Sequence, residues 1–232
     1  MTYLELVNAV LVRLREKKTA VVDTNPFLAV IGAMVNDAKD SVEDAWNWSQ
    51  LRMTSNVTVP LGATSFIVPD SADNTYQVNS ILNGQEGYYL RYVVQPWLRA
   101  KYRNSANVPV APNPPYYWTW GSDDEASGNK TIQILQPSND TYNFLIDHTK
   151  HQPTLVLPTD RLKVPSQPVI QLATALASRE RGEIGGTPTS ELFAMADRYL
   201  SDAIAYDTAK FANEMDWYVG QNLEQTNVNS YV

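Results

Sequence analysis

The two histidines of the chain, His148 and His151, lie three residues apart, and Asp147 precedes the first. Imidazole and carboxylate groups bind zinc and also act as general bases. A zinc site needs more ligands than these, and neighbouring residues on a strand point to opposite faces of the sheet. The chain has no cysteine that could supply further ligands. We therefore expect no metal site and no cofactor here.

The other chemical motifs are weak. The acidic run at 123–125 lacks the alternating ligands of a calcium loop, so we expect a solvated loop tip. The sequence contains no G-x-S-x-G elbow, no G-x-G-x-x-G fingerprint and no P-loop. No spacing places a nucleophile beside a base. We expect no catalytic residues and no enzyme activity.

Aromatic residues are the most conspicuous side chains of the middle segment. Alternation along a strand would place Tyr116, Trp118 and Trp120 on one face. Such a face most often packs into a core, and we expect structural roles for Trp118 and Trp120. A protein interface and a surface that stacks sugars are the alternatives.

Two further tryptophans, Trp46 and Trp48, stand where a helical pattern gives way to a strand pattern. We expect both to be structural and to cap the core, with an aromatic ligand platform as the alternative. Trp46 in particular is predicted to be buried where the helices meet the β domain.

Two helical patterns precede these tryptophans. The first spans residues 2–16, and Thr2 with Glu5 forms a predicted capping box. The second spans residues 26–46, because Asn25 can cap a helix and Pro26 suits its first position.

Two more helical patterns close the globular part of the chain. Ser166 is the predicted N-cap of the first, and Gly182 with the Gly185-Gly186 pair ends it. Thr187 and Pro188 then begin the last helix. Its predicted apolar stripe comprises Leu192, Phe193, Met195, Ala196, Tyr199, Leu200, Ala203 and Ile204.

Between the two helix pairs the period changes to that of strands. YQVNSILN and YYLRYVV flank Asn83-Gly84-Gln85-Glu86-Gly87, a predicted hairpin connection. The turn-forming residues 137–140 predict a second antiparallel hairpin that joins TIQIL to YNFLI. Residues 107–115 hold four prolines and are predicted to form an extended loop.

These patterns predict an α+β fold. Two N-terminal helices (residues 1–50) and two C-terminal helices (164–212) would form a four-helix bundle that carries an inserted antiparallel β domain (51–163). Residues 213–232 follow as an extended C-terminal arm, too polar for a core of its own and too aromatic for a solubilising tail. We expect its larger side chains to bind a partner, namely Met215, Trp217, Tyr218, Leu223 and Tyr231.

Composition excludes several classes of protein. The net charge is −7, which opposes the phosphate neutralisation that drives tight nucleic-acid binding. No apolar run approaches the roughly 20 residues of a membrane span, and the N-terminus lacks the basic region of a signal peptide. We expect a globular protein that does not enter a membrane.

Four stretches of the chain resemble the head-to-tail adaptor proteins of tailed bacteriophages. They are MTYLELVNAVLVRLRE, VNDAKDSVEDAWNWSQLR, TIQILQPSNDTYNFLI and LKVPSQPVIQLATALASRERGE. The resemblance covers most of residues 1–218 and is to neck proteins similar to the podovirus tail tubular protein A.

The resemblance implies a homo-oligomeric ring of twelve copies, with the portal protein above and a tail or nozzle protein below. DNA would pass through the lumen without specific binding. The protein would reside in the virion neck, and in the host cytoplasm during assembly. The alternative is a carbohydrate- or receptor-binding β module of a phage tail.

Overall fold

The computed structural model describes residues 1–22, 25–72, 75–102, 112–182 and 189–210. Five α-helices lie in these ranges: α1 (Tyr3–Arg13), α2 (Pro26–Asp44), α3 (Gln95–Tyr102), α4 (Ser166–Arg181) and α5 (Thr189–Ala209). None of these helices is long and apolar enough to cross a membrane.

The described strands are β1 (Arg52–Val59), β2 (Ser65–Ile67), β3 (Gln77–Asn83), β4 (Tyr88–Tyr89), β5 (Arg91–Tyr92), β6 (Tyr117–Trp120), β7 (Thr131–Gln133) and β8 (Tyr142–Thr149). The protein is therefore α+β. It divides into two compact units, one formed by residues 1–50 with 152–232 and one by residues 51–151. We call them the helical unit and the β unit.

The first two helices begin where local signals predict. The Thr2 side chain accepts from the Glu5 amide at 3.3 Å, and Glu5 accepts from the Thr2 amide at 2.8 Å, so the capping box is confirmed. These hydrogen bonds hold the pKa of Glu5 below its ordinary value. Asn25 caps α2 by accepting from the Leu28 amide at 2.9 Å, and Pro26 occupies its first position.

The start of α4 differs from the prediction. Pro165 is the N-cap, without a side-chain cap hydrogen bond, and Ser166 is already helical. The Ser166 cap is therefore wrong, because a proline in extended conformation precedes the helix directly. Gly182 does end α4, in the left-handed conformation that glycine adopts without a steric penalty. The Gly185-Gly186 stop and the predicted restart at 187–188 lie outside the described residues.

Helix α4 packs against α1, α2 and α5, and α1 packs against α2. Its buried face includes Val169, Ile170 and Ala173. On α2, Gly32 permits a close approach, since a β-carbon there would lie 2.3 Å from the Tyr3 hydroxyl oxygen. Small residues at such contacts let helix backbones come together.

Residues 152–163, which the sequence assigns to the β insert, belong to the helical unit. The Asn36 amide group on α2 donates to the Leu155 carbonyl at 3.1 Å and accepts from the Leu155 N–H at 2.9 Å. Tyr3 donates its amide to the Asp160 carbonyl at 2.7 Å. The backbone of this segment is thus hydrogen-bonded to the Asn36 side chain of α2 and to the backbone of α1.

A buried ion pair on α2 holds the start of this segment. Lys39 and Glu43 are both buried, and their charged groups lie 3.4 Å apart. The Lys39 ammonium donates to the Gln152 carbonyl at 2.7 Å, and Glu43 accepts from the Gln152 amide at 3.1 Å. Sequence periodicity gave no sign of this pair, because both residues sit beside the apolar stripe of the helix.

The two tryptophans after α2 differ in burial. Trp48 is completely buried and donates its indole N–H to the Val42 carbonyl at 2.7 Å. Trp46, which the sequence predicts to be buried, is only partly buried. The tryptophan that enters the core is Trp48, two residues later. The expected place of Trp46 at the β domain stays a prediction.

The β unit contains two four-stranded sheets, ordered β1-β8-β3-β4 and β2-β7-β6-β5. All pairs are antiparallel except β5 with β6, which is parallel. The expected purely antiparallel domain is therefore wrong at this pair, because α3 separates the two strands and lets the chain re-enter in the same direction. The hairpin around 83–87 is confirmed, with Asn83 opposite Tyr88 and Leu82 opposite Tyr89.

The second predicted hairpin is wrong. β7 pairs with β2 and β6, whereas β8 pairs with β1 and β3 in the other sheet. After β7 the Ile134 and Leu135 amides both donate to the Thr64 carbonyl, at 3.0 and 2.9 Å. Leu135 adopts a positive φ of 52° there. Hydrogen bonds with the 60–64 loop thus carry the chain from one sheet to the other.

The two sheets share one core. It contains Val59, Phe66, Val68, Tyr76, Ile81, Leu90, Trp118, Ile132, Ile134, Tyr142, Phe144 and Ile146. The rings of Phe66 on β2 and Phe144 on β8 lie 5.5 Å apart and join the sheets. Helix α3, which the sequence analysis missed, is anchored separately by Leu98 and Tyr102 against Leu135.

Candidate interaction surfaces

The structure places Asp147 and His148 in different surroundings on β8. His148 is buried on the core face of β8, where its ring stacks on Tyr76 at 4.5 Å. Burial lowers the pKa of His148, so the ring stays neutral near pH 7. Asp147 points to the opposite face and accepts from Thr54 at 2.6 Å and from Ser80 at 2.9 Å. In the described ranges no three histidine or acidic side chains converge as metal ligands.

The acidic run at 123–125 is organised as a turn. Asp124 accepts from both the amide and the hydroxyl of Ser127, at 2.9 and 2.6 Å. These hydrogen bonds hold the pKa of Asp124 below its ordinary value. Asp123 pairs with Lys130 at 2.9 Å. Asp123 and Asp124 are thus each engaged by a neighbouring side chain.

The tryptophans of β6 pack against the core. Trp118 is buried in the core, and Trp120 packs against it with an edge-on ring separation of 5.5 Å. Tyr116 precedes the strand and is exposed, with its ring 4.9 Å from that of Tyr88. The three rings therefore do not form one exposed platform of the kind that stacks sugars.

The first candidate interaction surface, which the sequence did not predict, is an aromatic surface on β5 and α3. Tyr92, Val94 and Trp97 are large apolar side chains exposed to solvent, Trp97 by 41%. The Lys101 ammonium lies over the rings of Trp97 and Tyr117, at 5.0 and 4.5 Å from their centroids. We call this region the α3 surface.

The α3 surface is also basic. Arg91, Arg99 and Lys101 are all exposed on it. No acidic residue occurs between Glu86 and Asp123, although the chain as a whole is acidic. This gap in the acidic residues was the sequence signal that could have located the surface.

The second candidate surface lies on α5. The predicted apolar stripe of this helix is only partly covered, since Met195 and Tyr199 are exposed and Ala196 is buried. Tyr206, about two turns beyond Tyr199, is 80% exposed. A groove of about 500 Å³ runs beside these residues, lined by Pro165 and Pro168 of the α4 entry, by Tyr199, Asp202 and Tyr206 of α5, and by Gln50. We call it the α5 groove.

One end of the α5 groove is held by a buried carboxylate. Asp207 accepts from the Ser49 amide and hydroxyl at 2.9 and 2.6 Å, and from the Lys210 ammonium at 3.0 Å. Burial raises the pKa of Asp207, but the Ser49 and Lys210 interactions outweigh it and hold the pKa below its ordinary value. The end of α5 is thereby tied to the residues that follow α2.

The predicted partner-binding residues Met215, Trp217, Tyr218, Leu223 and Tyr231 lie outside the described residues. Their role stays a prediction. The exposed aromatic surfaces of the described residues indicate protein–protein contact.

An α+β chain whose helical unit is interrupted by a β unit, with exposed aromatic surfaces on both, has the features of an assembly protein. The sequence profile of the SU10 adaptor protein family matches residues 1–220. The chain belongs to this family, and it is a phage adaptor of the head-to-tail type. The family is structural and is not an enzyme family. No curated protein sequence matches the chain.

Proposed function

We propose that this adaptor forms a ring between the portal and the tail of the virion, through which the genome passes. The observation that carries the proposal is the family match, which spans both helix pairs and the β unit. In this arrangement the four long helices act as one bundle and form the body of each subunit. Twelve copies would match the symmetry that the adaptor resemblance implies.

Several features of the chain support a structural ring. Exposed aromatic residues occur on α3 and on α5, and such residues anchor protein interfaces. The net charge of −7 disfavours a tight grip on DNA and favours passage. These features suit a virion neck, reached after assembly in the host cytoplasm.

The C-terminal arm is the proposed portal-docking segment. Residues 213–232 carry Trp217, Tyr218, Leu223 and Tyr231 in a polar context, which is how interface anchors are presented. An arm of this length could reach neighbouring subunits of a ring, and it would order on binding. The tail or nozzle protein would then bind the opposite end.

Deletion of residues 213–232 tests this proposal. We expect the truncated protein to remain folded by circular dichroism and to lose binding to portal-bearing heads in a sedimentation assay. Truncated protein that joins heads as well as the full chain would contradict the portal-docking role. Negative-stain images of particles carrying a labelled chain, together with a mass measurement of isolated necks, test the position and the copy number.

A further inference from the structure

The α3 surface carries an exposed indole, and the α5 groove has room for one. Trp97 is 41% exposed on a short helix that Leu98 and Tyr102 anchor, and its ring lies 4.9 Å from that of Tyr117. The α5 groove, at about 500 Å³, is large enough for an indole ring and is lined by two prolines and two tyrosines. Aromatic rings pack well against tyrosine faces and proline rings.

The two surfaces are also complementary in charge. Lys101 lies one helical turn from Trp97, with its ammonium 5.0 Å from the indole ring, and α3 carries no acidic residue. In the α5 groove Asp207 and Lys210 pair with each other at 3.0 Å, whereas Asp202 is exposed among the tyrosines. Opposite charges that meet at the edge of an apolar contact fix its register and suppress wrong pairings.

The spacing along α5 reinforces this assignment. Leu192, Met195, Tyr199, Asp202 and Tyr206 follow each other at alternating intervals of three and four residues. That interval places them along one side of the helix, as in a helix that packs against another helix. Asp202 is the polar position within this otherwise apolar seam, and a single polar position commonly sets the register.

Both surfaces occur on every copy of the chain, and they are different from each other. We infer that α3 of one copy inserts Trp97 into the α5 groove of a second copy, with Lys101 facing Asp202. A contact between two unlike surfaces is heterologous, and heterologous contacts close into rings when the rotation between subunits allows it. This inference rests on the proposed ring and names the surfaces that build it.

Cross-linking of introduced cysteines tests the contact directly, because the chain has no cysteine of its own. Arg99→Cys copies and Asp202→Cys copies, with different tags, are mixed and treated with a flexible bis-maleimide. The reaction is run on concentrated free protein and on copies assembled on portal-bearing heads. Leu61→Cys and Leu157→Cys, at exposed positions of the β unit and the helical unit, are the matched controls.

We expect a dimer that carries both tags from the mixture, and no dimer from either variant alone or from the control pair. A chain that carries both cysteines should yield a ladder of linked species. Three results would overturn the inference: no mixed dimer in either setting, dimers of one variant with itself, or only a link within a single chain.

Charge exchange provides an independent measurement on the intact chain. Lys101→Glu and Asp202→Lys should each reduce incorporation into heads about tenfold, since each places like charges together. The double variant restores opposite charges at every contact and should recover incorporation. Failure of the double variant to recover, with its folding intact by circular dichroism, would contradict the pairing.

The outcomes separate this inference from the proposed function. If wild-type chains join heads, but the Arg99→Cys and Asp202→Cys copies assembled on such heads give no mixed cross-link, the inference fails and the ring still stands. Wild-type chains that never join heads would sink the proposed function, and the reaction in free solution would still decide the inference. If Lys101→Glu weakened duplex binding and left assembly unchanged, the α3 surface would be a phosphate-binding surface instead.

Discussion

Trp46 and Trp48 are two residues apart, yet they serve the fold differently. Trp48 is fully buried and hydrogen-bonded to the end of α2, whereas Trp46 remains partly exposed. The sequence predicts that both indole rings lie against the core at the end of α2. Which ring enters the core depends on the turn after Asp44, and the turn brings the Trp48 amide to the Trp46 carbonyl at 3.0 Å.

Replacement of Trp48 by alanine should lower the free energy of unfolding by about 3–5 kcal/mol, since it opens a cavity in the core. Trp46→Ala is the matched control and should cost clearly less, because its side chain keeps contact with water. Urea denaturation of both variants, followed by far-ultraviolet circular dichroism, measures the difference. Equal losses for the two variants would show that the burial difference does not govern stability.

His148 predicts a pH dependence of the β unit. Burial lowers its pKa in the folded protein below the ordinary value of 6.5, so the unfolded chain binds the proton more readily. Stability is therefore fully present above that ordinary value and declines as the pH falls below it. Lys150 adds to the lowering, while Asp147 and Asp70 oppose it.

His148→Phe should flatten this decline, since phenylalanine keeps the stacking against Tyr76 and removes the titrating group. His151→Gln is the control at the second histidine. Thermal unfolding between pH 7 and pH 5 measures both, and an unchanged slope in His148→Phe would contradict the assignment.

At the scale of elements, α2 shows how a charged pair can hold a distant segment. Lys39 and Glu43 bind opposite backbone groups of Gln152, so the chain leaving the β unit is fastened to α2. A single buried charge without its partner is costly, whereas an apolar pair of similar volume is often tolerated.

Lys39→Met should therefore destabilise the protein by about 3–5 kcal/mol, because Glu43 would remain buried without its cation. The double variant Lys39→Met with Glu43→Leu should be markedly more stable than Lys39→Met or Glu43→Leu alone. The free energies of unfolding of the wild type and these three variants form a double-mutant cycle. Additive losses would indicate that the two residues do not act as a pair.

Helix α5 shows what sequence periodicity cannot predict. Its apolar positions are spaced as for a buried stripe, yet Met195, Tyr199 and Tyr206 remain exposed. Periodicity reports that a helix face is apolar, and it does not report whether the same chain or another one covers it.

For the whole molecule the charge balance predicts weak binding of duplex DNA. A net charge of −7 opposes counterion release, and the basic α3 surface is too small to offset it. Fluorescence anisotropy with a labelled duplex should show only weak association of the isolated protein at 0.15 M salt. Tight binding that falls steeply with added salt would be inconsistent with passive passage of the genome.

The sequence by itself determined the features that depend on near neighbours. The Thr2–Glu5 capping box, the Asn25-Pro26 helix start, the Gly182 stop and the turn at 83–87 each involve residues a few positions apart. Their hydrogen bonds join residues close in sequence, so a short stretch of sequence carries the signal. The alternation of β8, with Tyr142, Phe144, Ile146 and His148 buried, was equally local.

Only the tertiary structure decided how those elements meet. β7 does not pair with β8, because the two residues that follow β7, Ile134 and Leu135, donate their amides to the Thr64 carbonyl, 70 positions before Ile134. Residues 152–163 joined the helices because Asn36, Lys39 and Glu43 bind their backbone. Such contacts depend on which backbone groups of the whole chain form hydrogen bonds with each other, and on which apolar faces pack together. They involve residues far apart in the chain, so no window of sequence contains their outcome.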